Sequence, residues 1–243
     1  MMHRSSYRLV NHGRRAGVSV IEVVIIVAIV GLLLALTVPA LQSLRESSRR
    51  VECLNRLRQI GVSLASHHEQ TGAFPVDGEN GWGFAVYLLP SLDQNALYTE
   101  LSPATRSREA AEAAGSPGFA AVLPTLVCPA FSSETRLPNG RGRSNYIGSA
   151  SIFAEQTRKS DVYDGEGQTI AAGETVAPHA WIEPGMVTLQ GANSTARSFE
   201  SRHSGVTHFL FCDGTVRGIS NDTDSTIFAA LLTPAGREAI GEF

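Results

Sequence analysis

Glu22 stands alone in an apolar run: between Arg15 and Arg45 the chain carries no other charge. A carboxylate near the bilayer centre costs a few kcal/mol unless it is paired or reaches the headgroups, so an acid in such a run is a functional residue by default. Just upstream, Arg14-Arg15-Ala16-Gly17-Val18 sets a small residue behind two arginines. Ordinary signal peptidase cleavage after Ala40 is one reading of this region, disfavoured by Pro39 beside that bond. Two further groupings could do chemistry. His203 and Asp213 invite a metal or acid–base role. Asp213-Gly214 lies between alternating apolar runs, however, so the expected role is structural: a hairpin turn, with His203 hydrogen-bonding near its start. On one regular strand His203 and His208 would face opposite sides and could not share a metal, and His67 and His68, adjacent on a helix, diverge likewise. Asp161, Asp164 and Glu166 gather three carboxylates that calcium could use, but their spacing departs from an EF-hand loop and an ordinary acidic turn is expected. No other cofactor or metal is expected.

The elements that carry these residues follow from hydropathy. About 20 apolar residues in a helix cross a bilayer's hydrocarbon core, and the run from Val18 to Leu41 is long enough. Beyond Pro39, Leu41, Leu44, Ser48, Val51, Leu54, Leu57, Gly61, Leu64 and His68 recur at spacings of three and four, an apolar stripe. One helix is predicted from about Ser19 to about Gln70, bent at Pro39. Short helices are predicted over Asp93–Leu101, Thr105–Ala114 and Ser225–Leu232. Strands are predicted near Ala121–Val127, Asn145–Ile147, Thr169–Ala172 and Ala180–Ile182. The clearest hairpin runs from Val206 to Cys212, turns at Asp213-Gly214 as a two-residue type I′ loop, and returns over Thr215 to Ser220. That register puts Phe209, Phe211 and Val216 on one core face.

With 43% hydrophobic residues, 23 glycines and 11 prolines, the part after the helix is foldable and turn-rich. Without residues 1–17 the chain keeps 16 basic residues against 23 acidic ones, a net charge of −7, which argues against phosphate neutralisation as its main job and so against a nucleic-acid partner. The local cluster Arg136, Arg141 and Arg143 reads as a solvated, glycine-rich loop. The chain lacks a nucleophile elbow, a phosphate-binding Gly-rich loop, a zinc-protease helix motif and a dinucleotide fingerprint, and Lys159 is its one lysine, so no enzymatic activity is expected.

The N-terminal pattern resembles the class III signal of type IV prepilins and of the pseudopilins of type II secretion. The resemblance implies that prepilin peptidase cuts after Gly17 and methylates the new N-terminus at Val18, where the family usually has phenylalanine. It also implies that Glu22 pairs with the N-terminal amine of a neighbouring subunit during assembly, and Pro39 falls where many pilins have a helix-kinking proline. Downstream, Cys53 to Gly61, Phe74-Pro75, Leu89 to Tyr98, Cys128-Pro129, Asn145-Tyr146, Asp164-Gly165 with Glu174, and His203 followed after nine residues by Asp213-Gly214 resemble one group of these proteins. In that group a prepilin-type N-terminus joins a domain of unknown function ending in a His-X9-Asp-Gly motif. Cys212 departs from the small residue usual before Asp-Gly there and is read as lying on the hairpin's outer face.

The resemblance implies an α+β, type IV pilin-like fold: a long N-terminal transmembrane helix packed on an antiparallel β-sheet with extra short helices. Residues 1–17 are expected to be a cytoplasmic leader and 18–71 the long helix, membrane-spanning over 18–41 and amphipathic over 42–71. Residues 72–243 would be the exported domain. Outside the cytoplasm a disulfide is permitted. Cys53–Cys128 is the favoured pair with Cys212 free, the other reading being three reduced cysteines. The implied function is that of a structural pilin or pseudopilin subunit of the inner membrane, extracytoplasmic or in a filament. Its partners would be prepilin peptidase, other subunits, the assembly platform and membrane lipid. The alternative is a membrane-anchored binding module that does not polymerise.

Overall fold

The computed structural model describes residues 19–131, 135–188 and 199–237. The chain divides into two compact units, residues 1–45 and 46–243, with the boundary inside one helix. That helix, α1, spans Val20–Thr71 and runs through Pro39. It is long and apolar enough to cross a membrane, and no residue in it before Cys53 is buried.

In the unit that starts at Glu46, α1 buries Cys53, Leu57, Ile60, Gly61, Ser63 and Leu64. Spacings of three and four residues set these side chains along one side of the helix. The stripe predicted from sequence is right from Leu57 onward and wrong at Val51, which is 55% exposed. Cys53, two residues on, occupies the buried face instead.

Among the described residues the sheet has five strands, in the order β3-β1-β2-β4-β5. They are β1 (Arg143–Ser149), β2 (Ile170–Ala180), β3 (Met186–Val187), β4 (Val206–Phe211) and β5 (Val216–Ser220). All neighbours are antiparallel except β3, which runs parallel to β1, so the sheet is mixed, not purely antiparallel. Among the described residues five further helices are short: α2 (Phe84–Leu88), α3 (Asn95–Leu101), α4 (Arg108–Ala113), α5 (Ala150–Phe153) and α6 (Ser225–Leu231). The strand expected near Ala121–Val127 is instead a loop with a 3₁₀ turn at Pro124–Leu126, since a proline cannot donate to a ladder. Of Ala180–Ile182, only Ala180 belongs to a strand.

The β4–β5 hairpin shows how one residue decides a core. Leu210 pairs with Val216 and Phe209 with Arg217, while Phe211 N–H donates to Thr215 O and Gly214 N–H to Phe211 O. The loop is therefore three residues, Cys212-Asp213-Gly214, with Gly214 left-handed at φ 85°, not the predicted two-residue turn. Such a loop closes a type I turn with a left-handed residue, a position glycine fills without strain. Cross-strand partners share a face, so Val216 sits with Leu210 rather than with Phe209 and Phe211.

The two sheet faces accordingly feed separate clusters. Leu210 and Cys212 join Cys53, Leu57, Ile60, Leu64 and Tyr146 on the α1 side. Phe209 and Phe211 join Ile170, Ile219, Leu231 and Leu232 on the other. Cys212 is thus an inner residue, not an outer one; burial pushes its thiol pKa up to about 12. Close approach of α1 depends on Gly61: a Cβ there would lie 2.7 Å from Leu210 Cδ1.

Candidate functional site

Three strands set a polar row under α1. Tyr146 of β1 pairs with Glu174 of β2. Next to Glu174 on β4 stands His208, whose backbone N–H and Nδ1 both lie 2.9 Å from Glu174 Oε2. From α1, Arg50 Nε donates to His208 Nε2 at 3.1 Å. With Nε2 accepting, the proton of a neutral His208 sits on Nδ1 and is given to Glu174.

His203 completes the cluster. It precedes β4 in a loop that turns at Gly205 (φ 71°), and its ring lies 5.2 Å from that of His208, centroid to centroid. The parity argument that separated the two histidines fails because His203 is not on the strand. Its Nδ1 is 2.8 Å from Oε1 of Glu46 on α1, and its Nε2 is 3.6 Å from Glu174 Oε1. The result is an alternating chain, Glu46–His203–Glu174–His208–Arg50, buried at its middle and half-exposed at Glu46. Burial pushes the Glu174 carboxyl pKa up, but the hydrogen bonds from the His208 ring and backbone N–H outweigh it and hold the group below the ordinary carboxylate range.

Against this row lies a disulfide joining Cys53 of α1 to Cys128, with Cα atoms 5.2 Å apart. Tyr146 Oη donates to Cys53 O at 3.2 Å, and Cys128 N–H donates to Asn145 Oδ1 at 3.1 Å. Cys128 Sγ is 3.7 Å from His203 Nε2. Among the described residues, Cys53, Cys128, Glu174 and His203 are the one set of three or more such side chains whose donor atoms converge, all within 4.8 Å of one another.

The remaining sequence-predicted residues fall elsewhere. Gly17 and Val18 lie outside the described residues. Glu22 is exposed, and its Oε2 accepts the Ser19 N–H at 2.9 Å. Asp213 is exposed and accepts the Thr215 N–H and hydroxyl, so it shapes the hairpin loop and does not meet His203's cluster. Asp161 caps Arg158 N–H, Asp164 accepts Gly236 and Arg237 N–H, and Glu166 pairs with Lys159. These three carboxylates each serve a separate local partner. His67 and His68 part, one toward Tyr87 and the other toward Phe74 and Lys159 N–H. Of the arginines predicted to be solvated, Arg136 is exposed and donates to Ala120 O, whereas Arg143 is buried and stacks on Phe131 and Arg141 pairs with Glu112 and Glu183.

Sequence reasoning missed Glu46, Arg50 and His208, and took Glu174 only as part of a motif. The available signal was Glu174 itself, a carboxylate within the otherwise uncharged strand run 170–178, since a buried charge requires partners.

Residues 42–154 match the family model described as "Protein of unknown function (DUF1559)", a stretch that includes Glu46, Arg50, Cys53, Cys128 and Tyr146. No curated protein and no solved structure matches the chain.

Proposed function

We propose that the chain is a pilin- or pseudopilin-like structural subunit, held in the inner membrane by the first part of α1 and transferred from there into a type IV pilus or a type II secretion-like filament. The observation that carries this reading is the character of α1 from Val20 to Leu44. It presents apolar side chains all round, none buried, with Glu22 the lone charge before Arg45. A helix apolar on every side needs either lipid or other helices around it. The same surface serves both environments, which is what a subunit passing from bilayer to filament requires. Glu22 is costly in either unless it meets a positive charge. The partner proposed is the amine of Val18 in a neighbouring subunit, created when prepilin peptidase cuts after Gly17. The globular unit would then lie outside the cytoplasm, where the Cys53–Cys128 disulfide is chemically at home.

Intact mass and N-terminal sequencing of chain purified from membranes, with and without prepilin peptidase, test the processing. An N-methylated start at Val18, lost without the peptidase, is expected; a start at Leu41 overturns the reading. Glu22→Ala tests the assembly: filament incorporation should collapse while the membrane-bound amount holds. Unchanged incorporation would instead favour an anchored module that does not polymerise.

A further inference from the structure

We propose that Cys53, Cys128, His203 and Glu174 form a redox-gated site for a divalent cation of the zinc type, closed while the cysteines are joined and opened when they are reduced. Two thiolates, an imidazole nitrogen and a carboxylate oxygen are donors that zinc takes in four-coordinate sites. They come from α1, the Cys128 loop, β2 and the loop before β4, and all four residues are buried.

Two donors are already oriented as ligands. His203 Nδ1 faces the Glu46 carboxylate at 2.8 Å, so in the neutral ring the proton sits there and Nε2 presents its lone pair inward. A carboxylate on the far nitrogen is the usual support of a metal-binding histidine. That lone pair meets Cys128 Sγ at 3.7 Å and Glu174 Oε1 at 3.6 Å. Glu174 is 2% exposed, and while His208 holds its Oε2, its Oε1 has no hydrogen-bond partner among the described residues. A lone pair and an unpartnered carboxylate oxygen are therefore aimed at each other, an arrangement that a cation between them would satisfy.

The distances agree. With Zn–S near 2.3 Å and Zn–N and Zn–O near 2.1 Å, donors around one tetrahedral ion stand about 3.4–3.8 Å apart. The Cys128 sulfur-to-nitrogen and the nitrogen-to-oxygen separations already fall in that range, all four donor atoms lie within 4.8 Å of one another, and the bonded sulfurs must part. A water-soluble phosphine supplies the two electrons that break the S–S bond. It leaves as its phosphine oxide with the oxygen of one water, whose two protons go to the two sulfurs. Binding the cation then releases both thiol protons. The ion, two thiolates and Glu174 sum to one negative charge, with the Arg50 guanidinium at the far side of His208 to offset it.

The test uses the full chain in detergent micelles, oxidised or phosphine-reduced, with Zn²⁺ or Co²⁺ added and excess removed by desalting. The reduced chain is expected to keep one ion per chain and the oxidised chain none. The cobalt form should show intense tetrahedral visible bands with thiolate-to-metal charge transfer. Glu46→Gln, which alters a half-exposed residue that is not a ligand, should weaken binding about 10–100-fold with the near-ultraviolet dichroism unchanged. His203→Gln should abolish the tetrahedral spectrum. A reduced, folded chain that stays metal-free overturns the proposal. So does a pale octahedral cobalt spectrum, or equal affinity in His203→Gln, which would mean simple chelation by thiols. Loss of the folded signal on reduction that the ion does not restore overturns it as well.

Discussion

Replacing both bridging cysteines by alanine, Cys53→Ala with Cys128→Ala, should remove about 4.5 kcal/mol of stability. The bridge closes a loop of 75 residues in sequence, and this figure is the chain entropy such a loop withholds from the unfolded state at 25 °C. Truncating two buried sulfurs adds to the loss, and residual structure in the unfolded chain subtracts from it. Natural domains of ordinary stability hold about 5–15 kcal/mol in all, so the variant should be marginal. For a unit the size of residues 46–243 the melting midpoint should fall by about 9–18 °C. Trp82 and Trp181, both buried, report unfolding by fluorescence in a urea titration with chelator present. Because the effect lies in the unfolded state, the slope of free energy against urea should also rise, as the unlinked chain exposes more surface. A loss under about 1 kcal/mol would refute the entropic account. A larger loss with unchanged slope, carried by faster unfolding alone, would place the bridge's contribution in native packing instead.

Asp77→Ala should cost about 2–5 kcal/mol, because Asp77 Oδ1 accepts Phe84 N–H and Oδ2 accepts Gly185 N–H, each at 2.7 Å, and both donors would be left buried; the same titration reads it, and a loss under 1 kcal/mol would mean that water replaces the carboxylate. Cys212 should resist iodoacetamide at pH 8 in the native chain and react on unfolding, as followed by mass spectrometry, since burial raises its pKa to about 12. A raised folded pKa gives stability that is whole below the ordinary thiol value near 8.5 and is lost as pH climbs toward 12, so Cys212→Ala should flatten the alkaline fall of the melting temperature.

The fold was legible where one local signal sufficed. The uncharged run around Glu22 specifies α1's first part, and the Asp213-Gly214 pair specifies that a hairpin exists. Its register was not legible, because a two-residue and a three-residue loop are both compatible with Asp-Gly, and the choice moves Val216 from the Phe209 face to the Leu210 face. The polar cluster was hidden for a related reason. Reading His203 and His208 by strand parity assumes both lie on β4, whereas the turn at Gly205 frees His203 to swing beside its neighbour. Glu46 and Arg50 look like ordinary solvated charges on a helix. Only the docking of that helix on β4 and the loop before it, 158 and 157 residues away in sequence, gives them buried histidine partners.

That docking also explains why a bridge and a charge chain coincide at one place. Cys53, Leu57, Ile60 and Leu64 repeat at spacings of four, three and four. An apolar stripe of that kind can slide along a sheet by one turn, about 5.4 Å, and still bury similar surface. Burying charges is a poor way to gain stability over apolar packing. What charges and a covalent link do supply is register. A one-turn slip would carry Glu46 away from His203, Arg50 away from His208 and Cys53 away from Cys128 at once. In a filament subunit of the kind proposed above, a fixed helix register within the globular unit would set the face each copy presents. The polar cluster is therefore expected to act on specificity more than on stability. With the bridge reduced, replacing Glu46 and Arg50 together by glutamine should change the urea midpoint little while weakening the near-ultraviolet dichroism that reports a single packed state.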